Sequence, residues 1–174
     1  GTNGKSTTAF LVKSILEAAG HKVGLIGTIE HFDGNTSIPA MLTTPGPDVI
    51  AKLIRRMVDA GCSHVVMEVS SHALDQRRVA GIAFDTAIFT NLTQDHLDYH
   101  KDIATYREAK ARLFRELTPT ACAVLNADDP ASAFYRKLCP ATKLGYAVRG
   151  VSDFSAVGVE PSLDGSRFLI ESRH

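Results

Sequence analysis

The sequence carries no excess charge of either sign, which argues against a surface built to bind nucleic acid. Among its 174 residues, 19 are Lys or Arg and 19 are Asp or Glu, whereas binding to nucleic acid depends on a basic face. The sequence also lacks an apolar run near the ~18 residues of a transmembrane helix, so we expect no membrane partner. The opening residues, GTNGKS, do not have the pattern of a signal peptide.

Cysteine is scarce as well. The three cysteines are Cys62, Cys122 and Cys139. Their number is odd and their spacing includes no CxxC pair, so we expect reduced, mostly buried thiols in a cytoplasmic protein. The remaining composition, 44% hydrophobic and 22% charged, is that of a globular domain with a core of its own.

Strand and helix patterns alternate along most of the chain. Helical spacing predicts helices over residues 5–19, 49–60 and 103–116, and short apolar runs predict strands over residues 23–28, 64–69, 86–90 and 121–126. The expected apolar side of the first helix consists of Phe10, Leu11, Ile15, Leu16 and Ala19. The alternation is typical of an α/β fold with a mostly parallel sheet and helices on both faces, in which strands 64–69 and 86–90 are inner strands.

The last part of the chain has a different pattern. From about Asp153 onward, the runs FSAVGV and RFLIES flank a turn at residues 163–166, which predicts an antiparallel hairpin. Because the chain begins inside a motif and stops soon after this hairpin, we expect it to be part of a longer protein.

The motif at the beginning matches the end of a phosphate-binding loop, G-x-x-x-x-G-K-[ST]. Gly4-Lys5-Ser6 supplies its last three residues, and its first glycine would precede Gly1. In such a loop, main-chain N–H groups and the positive end of the next helix hold phosphate oxygens. Lys5 would reach the β- and γ-phosphates, and the Ser6 hydroxyl would bind Mg²⁺. The alternative is a helix N-terminus that merely contains this tripeptide.

Two polar segments follow predicted strands, at the carboxyl ends where parallel sheets bind their ligands. Glu68 closes an apolar run, where a carboxylate is costly unless it is paired or bound to a metal. The alternative is a structural carboxylate that its neighbours satisfy. Asp95 and His96 lie in the polar segment 91–100 and could hold a metal or a phosphate, whereas His100 is expected on the surface.

Two other features are ambiguous from spacing alone. Thr43 and Thr44 precede a rigid Pro-Gly-Pro turn, which indicates either a substrate-binding segment or a plain loop. Lys110 lies within the predicted helix 103–116, where a lysine is usually solvated, so its spacing indicates no function.

Several segments, taken in order, resemble the central ATP-binding domain of the Mur ligases, the amide-forming enzymes of peptidoglycan precursor synthesis. The segments are GTNGKST, TTP, EVSSHAL, TNLTQDHLDYH, YREAKARLF and LNADD. The similarity covers residues 1–146, and SSHALDQRRV and FTNLTQDHLDYH are its most specific parts. It implies a P-loop NTPase-like α/β fold in which residues 1–174 form the central domain. The amino-terminal UDP-binding domain and the carboxy-terminal amino-acid-binding domain would then lie outside the chain.

The resemblance also implies roles for single residues. The ATP-binding loop would comprise Gly1, Thr2, Asn3, Gly4, Lys5, Ser6 and Thr7. The catalytic set would be Lys5, Glu68, His96 and Lys110. The magnesium ligands would be Ser6, Glu68, His96 and Lys110, the last carried as a carbamate. The muramoyl substrate would be held by Thr43, Thr44, Ser70, Gln76 and Arg78, and the adenine of ATP would contact Asn126.

The reaction that the resemblance implies adds the third amino acid to UDP-N-acetylmuramoyl-L-Ala-D-Glu, in an enzyme expected to be a monomer at full length. ATP would phosphorylate the free carboxylate, and the incoming amine would displace phosphate from the acyl phosphate. Mg²⁺, Lys5 and the loop N–H groups would offset the repulsion between triphosphate and carboxylate. The sequence does not distinguish diaminopimelate from lysine, and we expect the isolated chain to be inactive. Another Mur ligase, a ligase like folylpolyglutamate synthase, and a P-loop ATPase or switch remain alternatives.

Overall fold

The computed structural model describes residues 1–95 and 97–173, which divide into two compact units. The amino-terminal unit is Gly4–Ile82. The carboxy-terminal unit consists of Gly1–Asn3 together with the chain from Ala83 onward. The boundary between the two units therefore falls inside the predicted phosphate loop, between Asn3 and Gly4.

The amino-terminal unit is built on a four-stranded mixed sheet. Its elements are α1 (Lys5–Ala18), β1 (Val23–Ile26), β2 (Glu30–Phe32), β3 (Ser37–Pro39), α2 (Pro47–Asp59), β4 (His64–Met67) and α3 (Ser71–Asp75). The strand order is β3-β2-β1-β4, and β1 runs parallel to β4 and antiparallel to β2. Because β1 and β4 run in the same direction, the residues that follow them, Gly27 and Glu68, meet at one edge of the sheet.

The core of the amino-terminal unit lies between β1 and α2. All four residues of β1 are buried, and α2 buries Ile50, Leu53 and Met57, which recur at helical spacing. Gly24 in β1 allows the close approach of this helix, because an added Cβ would lie 2.5 Å from the Met57 sulfur. A larger residue at position 24 would therefore push α2 away from the sheet.

The carboxy-terminal unit has a five-stranded sheet. Its elements are β5 (Thr86–Phe89), α4 (Leu97–His100), α5 (Ile103–Arg115), β6 (Cys122–Asn126), α6 (Ala131–Leu138), β7 (Thr142–Ala147), β8 (Phe154–Ser162) and β9 (Gly165–Ser172). The strand order is β5-β6-β7-β8-β9, with the first four strands parallel and the last pair antiparallel. The core is aromatic at its centre, where Tyr135 of α6 contacts the rings of Phe89 and Phe114 at centroid distances of 4.7 and 5.1 Å.

The α/β class and the mostly parallel five-stranded sheet confirm the prediction from the sequence. Each predicted helix and strand begins and ends within two residues of its observed bounds. The carboxy-terminal hairpin is confirmed too, with its turn at Leu163 and Asp164 between β8 and β9. Strands β2, β3 and β7 are additional, since their runs are too short or too mixed to be recognised from periodicity.

Three local expectations need correction. Strands β4 and β5, expected as inner strands, each stand at one end of their own sheet. The apolar side predicted for α1 is wrong in part: Leu11 and Ile15 are 58% and 68% exposed, whereas Phe10 and Leu16 are half-buried and the buried residue of the helix is Ala9. Of the cysteines, all free, Cys139 is buried but Cys62 and Cys122 are only half-buried.

Within residues 1–95 and 97–173, none of the helices combines the length and the hydrophobicity that a membrane span requires.

Candidate nucleotide and substrate site

Glu68 is the most buried carboxylate of the amino-terminal unit, with 3% of its surface exposed. It follows β4 directly. Its Oε2 accepts hydrogen bonds from the Ser6 hydroxyl at 2.9 Å and the Thr28 hydroxyl at 3.0 Å, and its Oε1 accepts from the Thr28 N–H at 2.8 Å. Gly27 leaves room for this arrangement, because an added Cβ there would lie 2.7 Å from Oε1.

The chemistry of these donors fits a magnesium ion. The groups around the Glu68 carboxylate are neutral hydroxyls and an N–H, so burial of its charge is not offset by a paired cation among them. Mg²⁺ binds oxygen ligands of this kind and keeps several waters. Ser6 and Glu68 would hold the ion, and Ser6 lies in the phosphate loop itself. Within the described ranges 1–95 and 97–173, no group of three or more His, Cys, Asp or Glu residues is placed to hold a metal.

Thr44 connects Glu68 to the next loop. Its side chain is fully buried. Its hydroxyl donates to the main-chain oxygen of Glu68 at 2.8 Å and accepts from the Ser70 N–H at 3.0 Å. Ser70 in turn caps α3, because its hydroxyl accepts from the Ala73 N–H at 3.1 Å. Thr43 is less buried, and its hydroxyl lies within hydrogen-bond distance of the Thr28 hydroxyl, at 3.1 Å.

Gln76 and Arg78 form a pair at the end of α3. The Arg78 guanidinium donates to Oε1 of Gln76 at 3.0 Å and 2.6 Å, and to the main-chain oxygen of Thr44 at 2.7 Å. The five predicted substrate residues, Thr43, Thr44, Ser70, Gln76 and Arg78, therefore lie in one hydrogen-bonded network. The same network includes Ser6, through Glu68 and Thr28.

The loop residues Gly1–Asn3 in the carboxy-terminal unit are held by the segment that follows β5. The Thr2 N–H donates to the main-chain oxygen of Asn91 at 2.8 Å, and the Thr2 hydroxyl accepts from the Thr93 N–H at 3.0 Å. Gly1 must be glycine here, because an added Cβ would lie 1.7 Å from the Thr90 hydroxyl. The start of the predicted phosphate loop is thus packed directly against the end of a strand.

Lys110 is buried, with 5% of its surface exposed. Its Nζ donates to the main-chain oxygen of Gly1 at 3.2 Å and lies 4.4 Å from the centre of the Tyr106 ring. The Tyr106 hydroxyl donates to the Thr2 hydroxyl at 3.2 Å, and burial raises the pKa of this phenol. The expectation from spacing, a solvated lysine, is therefore wrong. The carbamate that the family resemblance implies at Lys110 stays a prediction.

Residues at and after the end of β6 bind the segment that follows β5, which is the segment that holds Gly1–Asn3. The Asn126 carboxamide donates to the main-chain oxygen of Thr90 at 2.6 Å and accepts from the Asp128 N–H at 3.0 Å. The Asp129 carboxylate accepts from the Leu92 N–H at 2.7 Å. A carboxamide has two N–H groups and two lone pairs, so an adenine contact by Asn126 would use the remaining ones.

The other predicted residues have varied positions. Gly4 is the N-cap of α1 in the left-handed region with φ of 77°, which suits glycine. Lys5 begins α1 and is half-buried, and Thr7 is exposed on it. His96 lies outside the described residues. The expectation of a surface position for His100 is wrong, because its side chain is 2% exposed and packs against the ring of Tyr106.

Three participants were not recognised from the sequence: Thr28, Asn91 and Tyr106. Thr28 and Tyr106 have no local signal, since each becomes important only through residues distant in the chain. Asn91 had a signal, because it opens the polar segment after a buried strand.

The chain matches one family over nearly its whole length. Residues 1–173 match the description Mur ligase middle domain. The chain belongs to this family.

Curated relatives are similar to this chain over almost all of its length. UDP-N-acetylmuramoyl-L-alanyl-D-glutamate--2,6-diaminopimelate ligases from Parabacteroides distasonis, Geobacillus thermodenitrificans and Geobacter metallireducens are 43%, 44% and 47% identical. The alignments cover 99%, 100% and 95% of this chain but 36%, 37% and 34% of the relatives. The chain thus spans about a third of the length of these relatives.

Solved structures of the family have the same fold. A UDP-N-acetylmuramoyl-L-alanyl-D-glutamate--2,6-diaminopimelate ligase superimposes with a TM-score of 0.85 at 28% identity, over 99% of this chain and 36% of that one. The MurF ligase from Thermotoga maritima in complex with ADP superimposes with a TM-score of 0.67 at 18% identity, over 98% and 36% of the two chains. At that identity the second comparison concerns the fold alone.

Proposed function

We propose that this chain is the central ATP-binding domain of a longer, cytoplasmic ligase that adds an amino acid to UDP-N-acetylmuramoyl-L-Ala-D-Glu. The observation that carries the proposal is the buried Glu68 carboxylate bonded to the Ser6 hydroxyl of the phosphate loop, in a network that includes all five predicted substrate residues. The curated relatives support it, since the three named above are ligases that act on this nucleotide-linked dipeptide.

ATP is the co-substrate in this proposal, and the phosphate loop supplies its binding groups. Within the loop Gly1–Thr7, Lys5 and the N–H groups from Gly4 into the first turn of α1 would bind the triphosphate, whose negative charge would otherwise repel the substrate carboxylate. The carboxylate oxygen attacks the γ-phosphorus and ADP leaves. The amine nitrogen then attacks the acyl carbon, loses a proton and expels inorganic phosphate.

Ser6, Glu68, His96 and a carbamate on Lys110 are the proposed magnesium ligands. The carbamate forms when the neutral amine attacks CO₂ and releases a proton, which converts a cationic side chain into an anionic one. The position of Lys110 supports a role at the predicted phosphate loop, because the side chain is buried and its Nζ lies 3.2 Å from the main-chain oxygen of Gly1. Bound Mg²⁺ would stabilise the charge that develops on the transferring phosphoryl group.

We propose 2,6-diaminopimelate as the amino acid, because the three relatives described above are named for it. Lysine is the competing amine. At full length we expect a monomer. A P-loop ATPase or switch is the alternative from another class, and it would hydrolyse ATP without an acceptor.

The test is an ADP-release assay on the full-length protein. We expect release only when UDP-N-acetylmuramoyl-L-Ala-D-Glu and 2,6-diaminopimelate are both present, and little release when lysine replaces diaminopimelate. ADP release without the dipeptide substrate would favour the ATPase alternative. Release that requires the dipeptide substrate but proceeds equally with lysine would overturn the choice of amine alone.

A further inference from the structure

Asn91 forms a reciprocal pair of hydrogen bonds with the main chain of Asn3. Its Oδ1 accepts from the Asn3 N–H at 2.8 Å, and its Nδ2 donates to the Asn3 oxygen at 3.1 Å. A carboxamide presents the same donor and acceptor as a peptide group, so this side chain acts as a short stretch of paired main chain. The Thr90 hydroxyl donates to the same Asn3 oxygen at 2.7 Å.

The held oxygen belongs to the peptide that joins Asn3 to Gly4. A trans peptide is planar, with its N–H directed opposite to its C=O. Fixing the Asn3 oxygen on Thr90 and Asn91 therefore fixes the direction of the Gly4 N–H. Such N–H groups are the ones with which a phosphate loop binds anions, whereas a carbonyl oxygen in the same place would repel them.

This peptide needs an external constraint. Gly4 has no side chain and stands at a φ of 77°, so the intrinsic cost of rotating the peptide before it is small. The segment that holds it is itself fixed, since Asn126 binds the Thr90 oxygen and Asp129 binds the Leu92 N–H. The chain of contacts from β6 through Thr90 and Asn91 to Asn3 is thus continuous within the carboxy-terminal unit.

We infer that Asn91 is a positioning residue, which holds the Asn3–Gly4 peptide with its N–H available to a nucleotide phosphate. This inference rests on the proposed function, because it supposes that the loop binds ATP. It assigns to Asn91 a share in affinity for ATP and ADP, but none in affinity for the muramoyl substrate.

The experiment compares Asn91→Leu and Asn91→Asp with the unmodified full-length protein. The first change removes both hydrogen bonds. The second keeps the acceptor but sets a carboxylate oxygen against the Asn3 oxygen. Because two hydrogen bonds to the Asn3 main chain are lost or opposed, we expect KM for ATP and Kd for ADP to rise by about tenfold to thirtyfold. We expect KM for the muramoyl substrate to stay within about twofold, a split that a general loss of structure would not produce.

Asn35→Leu is the matched control, because Asn35 is exposed and, among the residues that the structure describes, its carboxamide oxygen accepts a hydrogen bond only from Lys22, the residue that precedes β1. A double-mutant cycle with Thr90→Val tests the shared oxygen, and we expect the two changes to be non-additive. Unchanged ATP affinity in both Asn91 variants, or equal losses for ATP and the muramoyl substrate, would overturn the inference.

Hydrogen exchange separates this inference from the proposed function and does not depend on the variants folding. In the unmodified protein without nucleotide, we expect slow exchange of the Asn3 amide, because it donates to Asn91. Exchange of this amide at the unprotected rate would contradict the pairing. Failure of the unmodified protein to bind ATP, with the amide protected, would instead contradict the proposed function.

Discussion

The Ser6 hydroxyl donates to Oε2 of Glu68 at 2.9 Å, across 62 positions of sequence. The contact joins the first turn of α1 to the residue that follows β4. Two oxygen ligands suited to Mg²⁺ are therefore in place on the polypeptide, and a bound ion would replace a hydrogen bond rather than reorganise a loop.

Removal of the Ser6 hydroxyl tests this pair. We expect Ser6→Ala to raise the Mg²⁺ concentration needed for half-maximal ATP turnover by about tenfold, because one ligand is lost. Ser6→Thr is the control, since it keeps a hydroxyl at the same position. A Mg²⁺ requirement that Ser6→Ala leaves unchanged would count against a metal role for this residue.

Gly27 provides a second test of the Glu68 position. An added Cβ would lie 2.7 Å from Oε1, so Gly27→Ala must displace the carboxylate. We expect ATP turnover to fall by on the order of tenfold to a hundredfold, as when a ligating group is misplaced by about 1 Å. Gly150→Ala is the control, because its new Cβ would meet its nearest neighbour at an ordinary 3.5 Å. Equal activity of the two variants would show that the Glu68 position is not critical.

The carbamate on Lys110 is tested by replacing the amine with a guanidinium, which keeps the positive charge of the unmodified lysine, or by removing it. We expect Lys110→Arg and Lys110→Ala to lose ligase activity by at least about a hundredfold, since neither side chain forms a carbamate. The unmodified protein should incorporate one labelled CO₂ at this residue, detectable by carbon NMR with labelled bicarbonate. An active Lys110→Arg variant would mean that a positive charge is sufficient at this site.

Thr44 offers a test of stability rather than activity. Thr44→Val keeps the shape of the side chain but removes the hydroxyl that binds the Ser70 N–H and the main-chain oxygen of Glu68. We expect the free energy of unfolding in urea to fall by about 1–3 kcal/mol, the cost of buried unsatisfied groups. Thr43→Val, at a less buried neighbour, should change it by less than about 0.5 kcal/mol. Similar values for both would argue against a buried role for the Thr44 hydroxyl.

His31 makes stability depend on pH. Its side chain is 6% exposed in β2, and burial lowers its pKa in the folded protein. The unfolded chain, with an imidazole pKa of about 6.5, therefore binds the proton first as the pH falls. The stabilisation that His31 contributes is complete above about pH 6.5 and is lost as the pH drops toward the folded pKa. Thermal unfolding between pH 8 and 5 should show a weaker pH dependence in His31→Gln than in the control His21→Gln. Identical slopes would contradict this.

The strongest sequence signals were those that depend on neighbours in the chain. Periodicity and turn residues predict helix α1, strands β4 and β5, which precede and follow Glu68 in the chain, and the final hairpin. The position of Glu68 at a strand end was predictable in the same way, because parallel strands present their carboxyl ends at one edge. Its metal role stays a prediction.

Burial at specific positions was not predictable from local pattern. Lys110 was assigned to solvent by its spacing, and His100 was expected on the surface, yet both are buried. Leu11 and Ile15 were expected to face the core and are exposed. For Lys110 the contact is with Gly1, 109 positions earlier in the chain, and no periodicity contains that information.

The sequence alone determined the α/β class, the phosphate loop and the family resemblance, because these depend on residue types at fixed spacing. Only the tertiary structure decided which groups meet: Ser6 with Glu68, Thr44 with Ser70, and Asn91 with Asn3. The physical reason is that a hydrogen bond requires atoms within about 3 Å. Positions tens of residues apart reach that distance only when strand order and helix rotation are fixed by packing.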